Sequence, residues 1–132
     1  MDMDQDMIVA GIGCRKGASA DQIAAAIASA LAGTGCRALD IIAAATAKGD
    51  EPGIAAAAQA LGVTLVLVPQ NDLEAAGPRT LTHSERVMAL MGVPSVAEAA
   101  ALAAAGPSAR LLAARIAVGP VTCALAQSEN AP

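Results

Sequence analysis

The stretch Ile8-Val9-Ala10-Gly11-Ile12-Gly13-Cys14-Arg15-Lys16-Gly17 commits the chain to a β-to-α transition. Its apolar start has the character of a buried strand, and the glycines with the Arg15-Lys16 pair form a turn. Ser19, followed three residues later by Gln22, is a capping box that begins a helix. Strand, glycine-rich turn and helix N-terminus, in that order, are a common device for holding an anion on backbone N–H groups. Two readings stand side by side. In one the turn is structural and uses glycine for positive φ. In the other Gly11, Gly13, Cys14, Arg15, Lys16, Gly17 and Ser19 bind an anionic ligand. Charge favours the second: cations just ahead of a helix N-terminus oppose its dipole at a cost of about 0.3–1 kcal/mol, and a bound anion reverses that sign. The spacing does not suit a nucleotide. The third glycine comes one residue too late for the dinucleotide fingerprint, no acid ends the second strand to hold a ribose, and no Gly-Lys-Ser/Thr follows.

Downstream the chain alternates strand-like and helix-like runs. Ile23, Ile27 and Leu31 recur along one face of a helix over 20–32, ended by Gly33-Thr34-Gly35. Leu39–Ala45 reads as a buried strand, and Thr46–Gly53 as a loop in which Asp50 caps a second helix with Pro52 in its first turn. Val63–Val68 is β-branched and bounded by Gly62 and Pro69, a third strand, with a helical turn over 71–76 after it. Thr82 with Glu85 and Ser95 with Glu98 are further capping boxes, starting helices over 83–91 and 96–105. Arg110–Val118 and Val121–Gln127 are strands joined so tightly by Gly119-Pro120 that they pair antiparallel. Residues 1–6 read as a disordered acidic tail and 128–132 as a frayed end, leaving one domain over 7–127. The early β-α-β-α-β order implies right-handed crossovers and helices on both faces of a mixed, mostly parallel sheet of about five strands. Ligands of such sheets bind beyond the carboxyl ends of the parallel strands, here the loops 11–18, 46–53 and 69–71.

Composition narrows the function. The chain has no Phe, Tyr or Trp, so its core rests on many small contacts and allows helix and sheet to approach closely. A net charge of −4 without aromatics gives nucleic acid neither a basic surface nor a stacking platform. No apolar stretch is long enough for a membrane span, and Asp2, Asp4 and Asp6 stand where a signal peptide carries positive charge, which points to the cytoplasm. Cys14, Cys36 and Cys123 include no CxxC pair, arguing against a disulfide framework and against zinc. His83 is the single histidine and reads as an exposed helix-turn residue, so no metal site and no cofactor is expected. Cys14, beside Arg15 at a helix start, is expected to have a lowered thiol pKa, although no base can be named for it and no catalytic residue follows. Lys48, Asp50 and Glu51 form a second constellation of candidate ligand-binding residues. Its paired acids have the chemistry for acid–base work, although the sequence alone does not show it. Asp50 reads first as a cap, and Lys48 either as solvated surface or as a cation facing the same crevice as Arg15.

Three motifs in order, Gly11-Ile12-Gly13-Cys14-Arg15-Lys16-Gly17 with Ser19, Lys48-Gly49-Asp50-Glu51-Pro52-Gly53, and Gly92-Val93-Pro94-Ser95-Val96-Ala97-Glu98-Ala99-Ala100, resemble the CobE/CbiG C-terminal domain family of cobalamin biosynthesis. The final Arg115–Ala126 stretch, with Val121-Thr122 at its centre, fits as well, so the resemblance runs from Met7 to Gln127. Arg115 departs from the lysine expected there, and Ala47-Lys48-Gly49 is looser than the family wording. The resemblance implies a single three-layer α/β/α domain and a role in building the corrin ring. In the anaerobic route such a domain is the C-terminal part of a larger enzyme resembling a cobalt-precorrin hydrolase, which opens a lactone and releases acetaldehyde. Standing alone, it is similar to the form found in the aerobic route. The implied partner is a precorrin-type tetrapyrrole, rich in acetate and propionate groups, together with other enzymes of the pathway. Arg15, Lys16 and Lys48 supply the cations such a ligand needs. Three functions are therefore weighed: an accessory protein that binds and hands on a precorrin, a hydrolase acting on one, and an interaction module whose glycine turn is purely structural.

Overall fold

In the computed structural model, which describes residues 7–36, 38–49 and 51–128, the small side chains of the core set the architecture. Strand β1 (Ile8–Cys14) leads through the glycine turn to helix α1 (Ala20–Thr34), then β2 (Ile41–Ala45) and α2 (Pro52–Leu61). β3 (Thr64–Val68) and the short α3 (Gln70–Ala76) follow, then α4 (Glu85–Met91) and α5 (Val96–Ala105). The chain ends in β4 (Arg110–Leu111), β5 (Ile116–Val118) and β6 (Val121–Gln127). The sheet order is β3-β2-β1-β6-β4, with β5 also paired to β6. β1, β2 and β3 pair in parallel, while β6 runs antiparallel to β1, β4 and β5. The α/β fold with a mixed sheet is thus the one expected.

Alternation along the strands divides the core into two faces. Ala10, Ile12, Ile42, Ala44, Cys123 and Leu125 pack against Ile23, Ala26, Ile27, Ile54 and Ala57 of α1 and α2. Val9, Ala43, Ala45 and Ala126 pack against Leu73 of α3 and Ala99–Leu102 of α5. On this second face, helix and sheet come into backbone contact. A Cβ on Gly11 would overlap the Ala97 carbonyl oxygen and lie 2.6 Å from the Ala101 nitrogen. The far end of α5 is held by Arg79, whose Nη1 donates to the carbonyls of Gly106, Pro107 and Ala109 at 3.2–3.4 Å. That guanidinium satisfies the C-cap carbonyl and two more in the turn that follows the helix.

Several local expectations change. The Ser19–Gln22 capping box is complete in both directions. The Thr82–Glu85 box is not formed: Ser84 is the N-cap of α4, accepting from Val87 N–H, and Thr82 donates its hydroxyl elsewhere. Ser95 caps α5 through Glu98 N–H, but the Glu98 side chain does not return to its own helix. The strand expected over Arg110–Val118 is two short strands, because residues 112–115 leave the ladder, and Leu112 N–H alone still reaches Leu125 O. Glu51 is the N-cap of α2, without a side-chain bond to it, and Asp50 lies outside the described residues. The tail expected over 1–6 lies outside them too, as does the frayed end expected over 128–132 except for Ser128. That residue is tied down: its N–H reaches Met7 O and its Oγ accepts from Met7 N–H at 2.8 Å.

The close seat of α5 gives a direct test. Gly11→Val should destabilise the domain by about 1–3 kcal/mol or more through overpacking, read as a lower urea midpoint by far-UV circular dichroism. A valine tolerated without loss would mean that α5 does not rest on β1 as described.

Candidate functional site

Beyond the carboxyl ends of β1 and β2 lies a cleft of about 500 Å3, within the roughly 300–1,000 Å3 typical of small-molecule sites. The position follows from topology. The chain builds outward from β1 to β2 and β3, then returns across α5 to pair β6 with the other side of β1, leaving a crevice at the strand ends. Gly13, Cys14 and Arg15 come from the end of β1 and Lys48 from the turn after β2. Ser84, Arg86, Val87 and Met91 come from α4 and its cap, and Val96 from the start of α5. Arg115, Ala117, Gly119, Pro120 and Thr122 close the remaining wall from β5, its approach and its turn into β6.

Two expected loops, 11–18 and 46–53, therefore contribute, and 69–71 contributes no lining residue. Within the first loop the residues part company. Arg15, Cys14 and Gly13 line the cleft, whereas Lys16, Gly17 and Ser19 are exposed away from it and Gly11 is buried beneath α5. Gly17 does take positive φ, +86°, as a tight strand-to-helix turn requires. Little of the expected backbone cradle is left, because four N–H groups of the turn already have acceptors within the chain. Arg15 N–H reaches Pro120 O, Ala18 N–H reaches Arg15 O, Ser19 N–H reaches Gln22 Oε1, and Gly17 N–H reaches Glu51 Oε1 at 3.0 Å. The anion on the glycine turn is the protein's own carboxylate. Glu51 is thereby a brace between the loop and α2 rather than a lining residue.

Four cations, Arg15, Lys48, Arg86 and Arg115, line the cleft, and none of its described lining residues is an acid. In a chain of net charge −4 that is a marked local reversal. Val87, Met91, Val96 and Ala117 add apolar surface between the charges. Sequence reasoning missed Arg86 and Arg115. Arg86 stands in a helix with no buried residue and carries no motif. Arg115 had a visible signal, a cation interrupting an apolar run at the point where the strand breaks.

The titrating groups of the cleft are unlike those expected. Burial pushes the Cys14 thiol above its ordinary value; Lys48 pulls it down and Glu51 pushes it up, leaving it raised. The lowered thiol expected from the adjacent helix start is overturned, because desolvation of the thiol at the end of β1 outweighs the nearby cation. Thr122 donates its hydroxyl to Gly13 O at 3.1 Å, and His83 is exposed and outside the lining. Cys123 lies in the core on the other side of the sheet, where burial pushes it to about 12. Among the described residues no group of three or more His, Cys, Asp or Glu is placed to hold a metal ion, and no single helix is long and apolar enough to cross a membrane.

Behind the cleft wall sits Glu98, fully buried in the first turn of α5. Its Oε1 accepts from Leu81 N–H and Thr82 N–H, both at 2.8 Å. Its Oε2 accepts from the Thr82 hydroxyl at 2.7 Å and from Arg115 N–H at 2.8 Å. Burial raises the pKa of this carboxyl, but the hydrogen bonds from Thr82, Arg115 and Leu81 outweigh it and hold Glu98 below its ordinary value.

Residues 8–126 match the protein family described as Cobalamin synthesis G C-terminus. The chain belongs to this family. Protein CobE of a Sinorhizobium species is 37% identical over 121 residues, which are 90% of this chain and 79% of that protein. The crystal structure of CobE, a protein from the cobalamin (vitamin B12) biosynthetic pathway, superposes with a TM-score of 0.87 at 36% identity, over 92% of this chain and 90% of that one. The cobalamin biosynthesis protein chiG of Agrobacterium tumefaciens shares 46% identity and a TM-score of 0.78, over 94% of this chain and 100% of that one. A cobalamin biosynthesis protein G homologue from Sulfolobus solfataricus, 24% identical, shares the fold with a TM-score of 0.73, over 93% of this chain but 37% of its own. Cobalamin biosynthesis, expected from the motifs, is therefore the setting of this protein.

Glu98 makes stability pH-dependent in a defined direction. Its folded pKa is lowered, so its contribution is complete above the ordinary carboxyl value of 4.5 and is lost as pH falls through the folded value. Glu98→Gln should cost about 1.5–3 kcal/mol at pH 7, the worth of hydrogen bonds to a charged group. The gap from wild type should narrow as pH drops below 4.5, followed by urea unfolding at a series of pH values. A gap independent of pH would show that the charge of Glu98 does not matter.

Proposed function

We propose that this protein is a cytoplasmic accessory protein of cobalamin biosynthesis that binds an anionic precorrin-type tetrapyrrole in the cleft and hands it to other enzymes of the pathway. The observation that carries this reading is the set of four cations around a cleft with no acid among its described lining residues. Precorrins bear many acetate and propionate groups. Guanidinium forks pair with carboxylates in two parallel hydrogen bonds, and Arg15, Arg86 and Arg115 provide three such forks on different walls. Lys48 adds a point charge, and Val87, Met91, Val96 and Ala117 offer aliphatic contact to the ring periphery. No aromatic side chain stacks on the ring, because the chain has none.

Binding without transformation is favoured over hydrolysis by the state of the nucleophiles. The Cys14 thiol is held protonated at neutral pH by its raised pKa, and the Thr122 hydroxyl is committed to Gly13 O. The Ser84 hydroxyl oxygen caps α4 by accepting from Val87 N–H, and the described lining holds no His, Asp or Glu to serve as a base for any of the three.

Without Trp or Tyr the protein is nearly transparent at 280 nm, so a bound chromophore is easily seen. Titration with a precorrin preparation should shift the visible spectrum. Arg115→Ala and Arg86→Ala should each weaken binding about tenfold, as loss of a charge-assisted pair does, and added salt should weaken it further. Lys16→Ala separates the cleft from the glycine turn: a loss there equal to that of Arg115→Ala would return the site to the turn. A preparation that never alters the spectrum would favour an interaction module, and release of a spectrally distinct product would favour the hydrolase.

A further inference from the structure

Among the described residues Glu98 is the one buried charged side chain. A carboxylate removed from water is costly unless every lone pair finds a donor. Here the donors all come from outside α5, the helix that carries it. They belong to two segments that the rest of the domain ties down elsewhere, by Ser84 N–H to Pro94 O and Gln70 Nε2 to Met91 O around α4 and by Leu112 N–H to Leu125 O in the edge strand. Glu98 is the point where the two meet. One is Leu81–Thr82, the approach to α4, a helix without a buried residue. The other is residues 112–115, where the edge strand leaves the ladder between β4 and β5. Each segment leads to a cleft arginine: Arg86 lies four residues beyond Thr82, and Arg115 is itself a donor to Glu98 through its backbone.

The geometry points to Glu98 as the positioning residue of the cleft, a buried carboxylate that never meets the ligand but fixes where Arg115 and Arg86 stand. This inference rests on the reading of the cleft as a site for a polycarboxylate tetrapyrrole. The two oxygens have separate tasks. Oε1 holds two backbone N–H groups of the α4 approach, and Oε2 holds the Thr82 hydroxyl and Arg115 N–H. Glutamine keeps one oxygen and replaces the other with a donor. Its carbonyl satisfies the Leu81 and Thr82 N–H pair, and the Thr82 hydroxyl turns to accept from the new amide. Arg115 N–H cannot turn. It is left facing another N–H group, so Glu98→Gln releases the Arg115 segment selectively.

The test is a double-mutant cycle on the precorrin titration, with each variant first shown to be folded by far-UV circular dichroism. Glu98→Gln should weaken binding about tenfold, as Arg115→Ala does, and the double variant should bind no more weakly than Arg115→Ala alone. A carboxylate that only stabilises the fold would leave the folded variant at wild-type affinity, and one that acts on binding independently of Arg115 would give losses that multiply. Should Glu98→Gln fail to fold, Thr82→Val removes one donor from Oε2 and leaves the carboxylate in place. It should weaken binding about threefold in the wild-type background and not at all in the Arg86→Ala background. Multiplying losses in either cycle, or wild-type affinity in Glu98→Gln and Thr82→Val while Arg115→Ala is weakened, would overturn the positioning role and leave the binding site standing. Unchanged affinity in Arg15→Ala, Lys48→Ala, Arg86→Ala and Arg115→Ala together would instead overturn the binding site itself, and the positioning role with it.

Discussion

The backbone contact between α5 and β1 is the constraint on which the rest of this structure depends. With no ring in the core, close approach replaces side-chain bulk, and Gly11 beneath Ala97 and Ala101 is where the approach is tightest. Arg79 holds the other end of the helix through the carbonyls around Gly106. Because α5 is seated so firmly, the carboxylate in its first turn has a fixed origin from which to hold other parts of the chain. Glu98 then gathers the 81–82 segment and Arg115, elements separated in sequence by the whole of α5 and β4. Packing without aromatics and a cleft built from scattered segments are thus two ends of one chain of causes.

The same logic explains the unequal distribution of charge. Three acids of this protein serve as braces: Glu51 on the Gly17 amide, Asp40 on the Ile8 amide, Glu98 on three backbone amides and a hydroxyl. Each lies outside the cleft lining, while four of the chain's eight cations converge on it. A net-negative chain can in this way present a positive cavity, since local field depends on which charges face a low-dielectric recess rather than on their sum. The glycine turn participates indirectly. Four of its amides are occupied by Glu51, Gln22, Pro120 and Arg15, and among its cations only Arg15 reaches the cleft.

Much of the fold was legible because its signals are local. The Ser19–Gln22 box, the β-branched run ending at Val68, the Gly92-Val93-Pro94 break and the Gly119-Pro120 link each act within a few residues, and each falls where the local pattern put it. Where a residue had two partners to choose from, one local and one distant, the local pattern misled. Glu98 and Thr82 both have the spacing of helix caps, yet each satisfies the other across the domain. The strand over 110–118 breaks because Arg115 N–H is taken by that same carboxylate, a competitor no window of sequence contains. Cys14 shows the same limit in electrostatics: its neighbours in sequence suggested an activated thiol, and its burial at the strand end reversed the sign.

By itself the sequence determined the order of elements, the two-faced packing of the sheet and, through three ordered motifs, the family. All of these are written in residue type and spacing. It also pointed to the end of the sheet where the cleft lies, since parallel strands with helical crossovers leave a crevice at their carboxyl ends. Only the tertiary structure decided which side chains line that crevice. Arg86 and Arg115 arrive from a short helix with no buried residue and a broken edge strand, Lys16 turns away, and the Gly17 amide is taken by Glu51. The physical reason is that a site assembled from several segments is fixed by hydrogen bonds between residues far apart in the chain, and here those bonds meet at the buried oxygens of Glu98.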